Sequence, residues 1–222
     1  MTMTKPNFPD CLGKNEDDEY LFSLGRMSFD MYRPTDLLCS LESQFNPVFE
    51  VDVTDDNVPS RVKREVWRRK CMLRSYNIVV TFNVNSKDNK FEKPLSGLMT
   101  TYGYTLPDPS LPNRLTVFFS GGILEPNQGT DLEQWKELFE TEVTGKHMQQ
   151  KAREVANKVL LGATFQESIA EDGAMSYRLN KPIGGHGDMY VDIIYMDESL
   201  RVMKGQTGSL YVLSRVPPQL IG

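Results

Sequence analysis

The clearest pattern in the chain is a regular alternation of side-chain character between residues 76 and 84. Every second residue there is apolar, and the residues between them are mostly polar. Because successive side chains of a β-strand point to opposite faces of the sheet, this alternation predicts a strand with one apolar face. The apolar positions are Tyr76, Ile78, Val80, Phe82 and Val84.

Six more segments have the composition of strands and are separated by residues typical of turns. Prolines end the first of them, and Gly121 and Gly122 predict a bulge or a sharp bend after the second. Glycine-rich and acidic stretches predict turns between the later strands. The predicted strands cover residues 95–106, 114–120, 174–179, 189–196, 200–204 and 209–215.

Apolar residues spaced three and four apart predict two helices in the middle of the chain. Thr130, followed three residues later by Glu133, predicts a capping box at the start of the first helix. The second helix is predicted over Lys146–Leu161, and Gly162 is a typical residue for its C-terminal end. The apolar stripe of the first helix comprises Leu132, Trp135, Leu138 and Phe139.

The order of these elements predicts the fold class. Consecutive strands joined by short turns pair antiparallel, and about seven strands with a helical interruption favour a closed sheet. We therefore expect an α+β fold that is mainly antiparallel β, a lipocalin-like barrel with two helices. The polar residues 1–19 predict a flexible arm, and residues 20–222 a single barrel domain. The pattern does not assign the elements between residues 20 and 60.

Composition narrows the possible functions. A net charge of −5 argues against general nucleic-acid binding, which needs clustered positive charge. The three cysteines are far apart and there are two histidines, so neither a metal site nor a disulfide framework is predicted. No GxSxG motif is present, and the sequence predicts no catalytic residue and no cofactor. No segment approaches the ~20 apolar residues that a membrane-spanning helix needs.

One segment, residues 61–74, is strongly basic despite the acidic whole. Its basic residues outnumber its one acidic residue, Glu65, and apolar residues are interleaved with them. A helix with this pattern can lie on an anionic membrane surface, with its tryptophan at the interface. The alternative is a solvated helix face. The candidate membrane-surface residues are Arg64, Trp67, Arg68 and Arg69.

Two polar motifs have a structural and a chemical interpretation. The glycine-rich run Gly184–Gly187 can cradle a phosphate, but the Lys-Ser/Thr of a P-loop does not follow it, which favours a hairpin turn. Asp192, Asp197 and Glu198 can act as paired carboxylates. Asp197 and Glu198 lie at a predicted turn, where an aspartate usually bonds its own backbone.

The segment from Val191 to Leu213 resembles the closing motif of the plastid lipid-associated protein (fibrillin) family. In that family a strand ending in Tyr-Leu-Asp leads to an acidic turn, Leu-Arg-Ile, a basic-Gly turn and a Gly-x-Leu-Phe-Val-Leu strand. The chain departs from this pattern conservatively, at Met196, Val202 and Tyr211. It matches the pattern at Tyr195, Asp197, Leu200, Arg201, Gly205, Gly208, Leu210 and Val212.

The resemblance implies a lipocalin-like barrel that binds hydrophobic small molecules and associates with plastid lipid bodies or membranes. It implies no catalysis. The N-terminal residues have neither an apolar signal core nor the composition of a transit peptide. The expected compartment is therefore the plastid by resemblance, with the cytoplasm as the alternative.

Three functions follow as hypotheses. The first is non-catalytic binding or carriage of lipids, quinones or carotenoids, with Arg201 either as a polar anchor or paired with Asp197. The second is a scaffold or protein-interaction module whose barrel is solid. The third is a lipocalin-like isomerase, which requires a buried ionisable residue such as Asp192 or His186. The candidate ligand-binding residues are Arg201, Tyr195, Tyr102, Phe118 and Tyr211.

Overall fold

The computed structural model describes residues 11–85, 95–144, 162–166, 168–180 and 188–216. Within these ranges the chain forms eleven strands and three helices. In chain order they are β1 (Leu21–Ser23), α1 (Leu24–Met27), β2 (Leu38–Phe45), α2 (Ser60–Arg69), β3 (Arg74–Ser75), β4 (Ile78–Val84), β5 (Ser96–Pro107), β6 (Arg114–Pro126), α3 (Leu132–Thr144), β7 (Ala163–Phe165), β8 (Met175–Leu179), β9 (Asp188–Met196), β10 (Leu200–Gly205) and β11 (Leu210–Ser214).

All the strands belong to one antiparallel sheet. Its main path runs β1-β2-β4-β5-β6-β9-β10-β11, with β3 added to β5, β8 to β6 and β7 to β8. The sheet curls into a half-barrel, which confirms the predicted α+β, mainly antiparallel fold. The path leaves β2 and β11 near its opposite ends, and the curl of the sheet brings them towards each other.

The predicted strands agree with the sheet except at their ends. The alternating segment forms β4, and Tyr76, Val80 and Phe82 are buried on one face as expected. The predicted end of β6 at Ser120 is wrong, because this strand continues through both glycines to Pro126. The predicted bulge is present, since the pairing with β5 shifts between Tyr102 and Gly103.

The helices differ from the prediction in number and in one cap. Asp131, not Thr130, caps α3, because its carboxylate accepts from the backbone N–H groups of Glu133 and Gln134, each at 3.1 Å. The hydroxyl of Thr130 instead donates to the carbonyl of Ser96 at 2.8 Å. The four-residue α1 was not predicted. The predicted helix Lys146–Leu161 and the run Gly184–Gly187 lie outside the described residues.

Neighbouring residues of β6 show how the two faces of the sheet are used. The side chain of Phe118 is buried beneath α2 with Val62 and Val66. Val117, one residue earlier, points to the opposite face, where it packs with Met203. We call the face that carries Val117 the inner face and the face that carries Phe118 the outer face.

Helix α3 covers one part of the inner face. Trp135 and Phe139 are fully buried there, with their ring centroids 4.6 Å apart, and they pack among Phe82 and Leu124. The indole N–H of Trp135 donates to the carbonyl of Gly173 at 3.0 Å. This part of the half-barrel is therefore filled by the protein's own side chains.

Candidate functional site: a groove on the inner face

A groove of about 90 Å³ lies on the inner face, lined by a different part of the sheet from the one that α3 covers. Its floor consists of four buried side chains from the middle of the sheet, which also pack with one another. Partly buried apolar side chains, among them Ile78, Phe119 and Leu213, extend this surface. The floor residues are Tyr76, Val117, Val191 and Met203.

The two sides of the groove come from strands that lie far apart in the sheet. Gln44 at the end of β2 and Asn46 just after it line one side, and Tyr211 of β11 lines the other. The curl of the sheet brings these segments towards each other, so the groove occupies the opening of the half-barrel. Residues after β10, including Thr207, complete the lining.

Arg201 links the two sides at one end of the groove. Its Nη2 donates to Oδ1 of Asn46 at 2.5 Å, and Nδ2 of Asn46 donates to the carbonyl of Asn77 at 2.6 Å. Within the described part of the chain, Arg201 makes this one hydrogen bond and no ion pair. Four of its five N–H donors therefore have no protein acceptor there.

One phenol, that of Tyr76, lies within electrostatic reach of this guanidinium. Burial raises the pKa of Tyr76 to about 12, and the positive charge of Arg201 acts to lower it. The phenol of Tyr211 lies towards the other end of β10, because a Cβ atom at Gly205 would be 3.6 Å from its hydroxyl. At neutral pH the Tyr76 phenol keeps its proton and can donate a hydrogen bond. The groove thus has one polar end on an otherwise apolar surface.

An aromatic side chain stands at the edge of the groove. Phe29 is 55% exposed, and its ring centroid is 6.3 Å from that of Phe119. Phe29 and the following Asp30 both have left-handed backbone angles, with φ of 54° and 59°. Such angles cost free energy for residues other than glycine, and they occur often in ligand-binding segments. Backbone bonds such as Asp30 N–H to the carbonyl of Gly25, at 2.7 Å, hold the loop.

The structure brings two of the five predicted ligand-binding residues to this site. Tyr211 lines the groove, and Arg201 contacts its lining through Asn46. Phe118 is buried beneath α2 on the outer face. The other two, Tyr102 and Tyr195, are exposed and do not line the groove.

Four residues that line the groove were not predicted as site residues: Tyr76, Met203, Asn46 and Phe29. A signal was present for Met203, because it lies two residues after Arg201 on a strand and therefore shares its face. No comparable signal marks Asn46 or Phe29, which reach the groove only through the curl of the sheet.

The alternative pairing of Arg201 with Asp197 is not formed. The carboxylate of Asp197 accepts from the hydroxyl of Tyr195 at 2.6 Å and from the backbone N–H groups of Ser199 and Leu200, each at 2.7 Å. These bonds hold the pKa of Asp197 well below its usual range. Asp197 therefore stabilises the turn between β9 and β10, and Arg201 is left to Asn46.

Asp192, a candidate for acid–base chemistry, forms a bidentate ion pair with Arg114. The two N–O distances are 2.7 and 3.0 Å, and the hydrogen bonds to Arg114 lower the pKa of Asp192. The guanidinium of Arg114 also lies 3.7 Å from the centre of the Tyr190 ring. Because Val191 faces the groove floor, its neighbour Asp192 points to the outer face. His186, the other candidate, lies outside the described residues.

The basic segment forms α2, and its burial pattern fixes the exposed side. Val62 and Val66 are buried against the sheet, so Arg64, Trp67 and Arg68 point away from it. Trp67 is 63% exposed. Arg69, the fourth candidate membrane-surface residue, instead reaches the sheet, where it donates to the hydroxyl of Thr116 at 2.9 Å. Arg68 and Arg69 both form an ion pair with Glu65.

The remaining chemistry-bearing groups form no second site in the described ranges. Cys11, Cys39 and Cys71 are free thiols, and burial raises the pKa of Cys39 to about 12. Among residues that the structure describes, no three His, Cys, Asp or Glu side chains are grouped as metal ligands. None of the described helices has the length and apolar character to cross a membrane.

Comparison with models of known protein families, with curated proteins and with solved structures finds no match to this chain. The resemblance to the fibrillin family, and with it the plastid as compartment, therefore stays a prediction from the C-terminal motif. The groove and the exposed side of α2 are the features of the described structure that point to a function.

Proposed function

We propose that this protein binds hydrophobic small molecules, such as lipids, quinones or carotenoids, without chemically altering them. The observation that carries the proposal is the groove itself, an apolar floor that ends at Arg201 and Tyr76. Small-molecule sites typically combine an apolar lining with a few polar groups that orient the ligand. None of the described residues lining the groove is a carboxylate, an imidazole or a thiol, so the side chains there serve recognition.

The dimensions of the groove limit how much of a ligand it can enclose. Its volume of about 90 Å³ is below the ~150 Å³ of a dry cavity that holds one benzene molecule. Along β10 the lining runs from Met203 to Gly205, about 7 Å for a strand rise of about 3.3 Å per residue, and Arg201 lies two residues before it. We therefore expect a single chain or one ring edge to lie in it, with the rest of the ligand outside.

Retention of a ligand from a mixture tests this function. The purified protein is incubated with a lipid and pigment extract, re-isolated and examined by native mass spectrometry. We expect a hydrophobic compound at one per chain. Leu213→Trp, which places bulk in the groove, should lower retention at least about tenfold, since the site has no spare volume.

The next residue along β11 provides a matched control. Val212 is exposed and points to the opposite face, so Val212→Trp should retain the ligand as the unmodified protein does. Equal losses in both variants would contradict the groove as the site. If no compound is retained at all, the scaffold alternative is favoured, since part of the barrel is already filled by α3.

A second candidate function, association with an anionic membrane surface, rests on the exposed side of α2. Arg64, Arg68 and the exposed Trp67 share that side, and Lys70 follows at the end of the helix. Cations attract anionic lipid headgroups, and tryptophan favours the interface between headgroups and acyl chains. Both functions are compatible, because a lipid surface can supply hydrophobic ligands. Binding to anionic but not to neutral vesicles tests this candidate.

A further inference from the structure

We infer that the ligand of the groove carries a compact anionic head group, a carboxylate in the first instance, which binds to Arg201 beside Tyr76. This inference rests on the proposed function and specifies its ligand class. It predicts that an amphiphile with a charged head binds better than an uncharged molecule with the same chain.

Arg201 has no charged partner among the described residues. In the described part of the chain its guanidinium contacts a neutral amide, Asn46, and no carboxylate lies within ion-pair distance. The guanidinium is half-buried and none of its nitrogens is a buried atom without a partner, so its unbonded donors remain accessible to a ligand. The planar guanidinium presents donors in a fork that matches the two oxygens of a carboxylate. A ligand anion would supply the missing charge.

A hydrogen bond to the backbone fixes the orientation of the Asn46 side chain. Its amide nitrogen donates to the carbonyl of Asn77, which turns its oxygen towards Arg201. Asn46 thereby fixes the position of the guanidinium without neutralising it. Asn46 is a positioning residue, and it leaves the charge of Arg201 for a second partner.

The surroundings of the Arg201 guanidinium favour an anion. No acidic side chain lines the groove among the described residues, although acidic residues exceed basic ones in the chain as a whole. The phenol of Tyr76 is a further donor at this end of the groove, and it favours an acceptor atom in the same place. An uncharged ketone or ester oxygen can accept from a phenol, but it leaves the cation unpaired.

Three ligands that share one alkyl chain and differ in the head group separate the contribution of the head group to binding from that of the apolar groove. A medium-chain fatty acid, the corresponding primary alcohol and the methyl ester are titrated by calorimetry at neutral pH. We expect the acid to bind at least about tenfold more tightly than the alcohol or the ester, as hydrogen bonds to charged groups are the stronger ones. Arg201→Gln should reduce acid binding to the alcohol's level and leave alcohol binding unchanged.

Two variants and one competitor sharpen the result. Asn46→Asp should lower acid affinity and spare the alcohol, because it gives Arg201 a carboxylate partner within the protein. Arg178→Gln removes an exposed arginine of β8 that neither lines the groove nor bonds a lining residue, and it should change the binding of neither ligand. Acetate should not compete with the fatty acid at similar concentration, because it lacks a chain for the apolar floor.

The possible outcomes separate this inference from the proposed function. If acid, alcohol and ester bind equally, or if Arg201→Gln preserves the acid's advantage, the head-group inference is overturned while groove binding stands. If acetate competes as well as the fatty acid, the site recognises a free anion and the inference is overturned. If none of the three ligands binds, the proposed function itself fails. Unchanged alcohol binding shows that each variant is folded.

Discussion

The side chains of Arg201 and Asn46 are joined by a hydrogen bond of 2.5 Å although they are 155 residues apart in the chain. Arg201 lies on β10 and Asn46 follows β2, so the bond connects the two sides of the half-barrel at the polar end of the groove. It is the contact through which the late hairpins, where the sequence motif lies, meet an early segment that sequence patterns left unassigned.

The bond between Arg201 and Asn46 should contribute measurably to stability. In a double-mutant cycle with Arg201→Ala and Asn46→Ala, we expect a coupling of about 1.5–3 kcal/mol, the range for hydrogen bonds to a charged group. Urea unfolding of the four proteins measures it. Additive losses would show that the two side chains act independently.

Gly97→Ala should destabilise the contact between β5 and α3. A Cβ atom at this position would lie 2.5 Å from Phe82 and 2.7 Å from Trp135, and both rings are fully buried. We expect a loss of about 1–3 kcal/mol, as for other overpacked cores, measured by urea unfolding. In a Phe82→Leu background, which removes the nearest ring atom, the same substitution should cost less. An equal cost in both backgrounds would contradict the steric explanation.

Tyr76 should make the protein less stable in alkali. Burial raises its pKa to about 12 from the ordinary value of ~10, so the folded state favours the neutral phenol. This contribution is complete below about pH 10 and is lost as the pH rises towards about 12. Tyr76→Phe, which cannot ionise, should therefore lose less stability than the unmodified protein between these pH values.

Denaturant titrations across this pH window provide the measurement. The buried Tyr177, whose pKa burial also raises to about 12, remains in the variant and should preserve part of the alkaline loss. An identical pH dependence in the unmodified protein and in Tyr76→Phe would contradict the assignment to Tyr76.

Trp67 should report binding to anionic vesicles. The chain has two tryptophans, and because Trp135 is fully buried, a vesicle-induced change in emission comes from Trp67. We expect a blue shift with anionic vesicles and none with neutral ones. Arg64→Gln and Lys70→Gln should each weaken binding about fivefold, which corresponds to about 1 kcal/mol per cation.

A matched pair of substitutions elsewhere controls for net charge. Lys136→Gln and Arg178→Gln remove the same charge from α3 and β8, away from α2. They should leave vesicle binding nearly unchanged. Equal weakening by both pairs would show that overall charge, and not the exposed side of α2, governs the association.

Much of the sheet follows from local patterns that survive in the structure. The alternation at residues 76–84 placed the inner-face side chains of β4, and the turn residues placed the hairpins from β9 to β11. The predictions failed where a local signal had a competitor, as at the start of α3. Thr130 and Asp131 are both good caps, and the bond between Thr130 and Ser96 leaves the helix end to Asp131.

Local sequence patterns do not predict which residues line the groove. Strand alternation assigns Arg201 and Met203 to one face, but it does not say which part of that face is covered. The aromatic candidates Phe118 and Tyr211 have equal claims in the sequence. The structure buries the first under α2 and places the second in the groove.

The sequence by itself determined seven of the eleven described strands, the turns between the last of them, the helix α3 and the basic amphipathic character of α2, because these depend on residues close together in the chain. Only the tertiary structure decided that α3 fills one part of the inner face and that another part stays open as a groove. Only the tertiary structure brings Asn46 to Arg201 and Phe29 to Phe119. The physical reason is that these contacts depend on the curl of the sheet. The curl accumulates from the twist of many paired strands, and no local pattern in the chain records it.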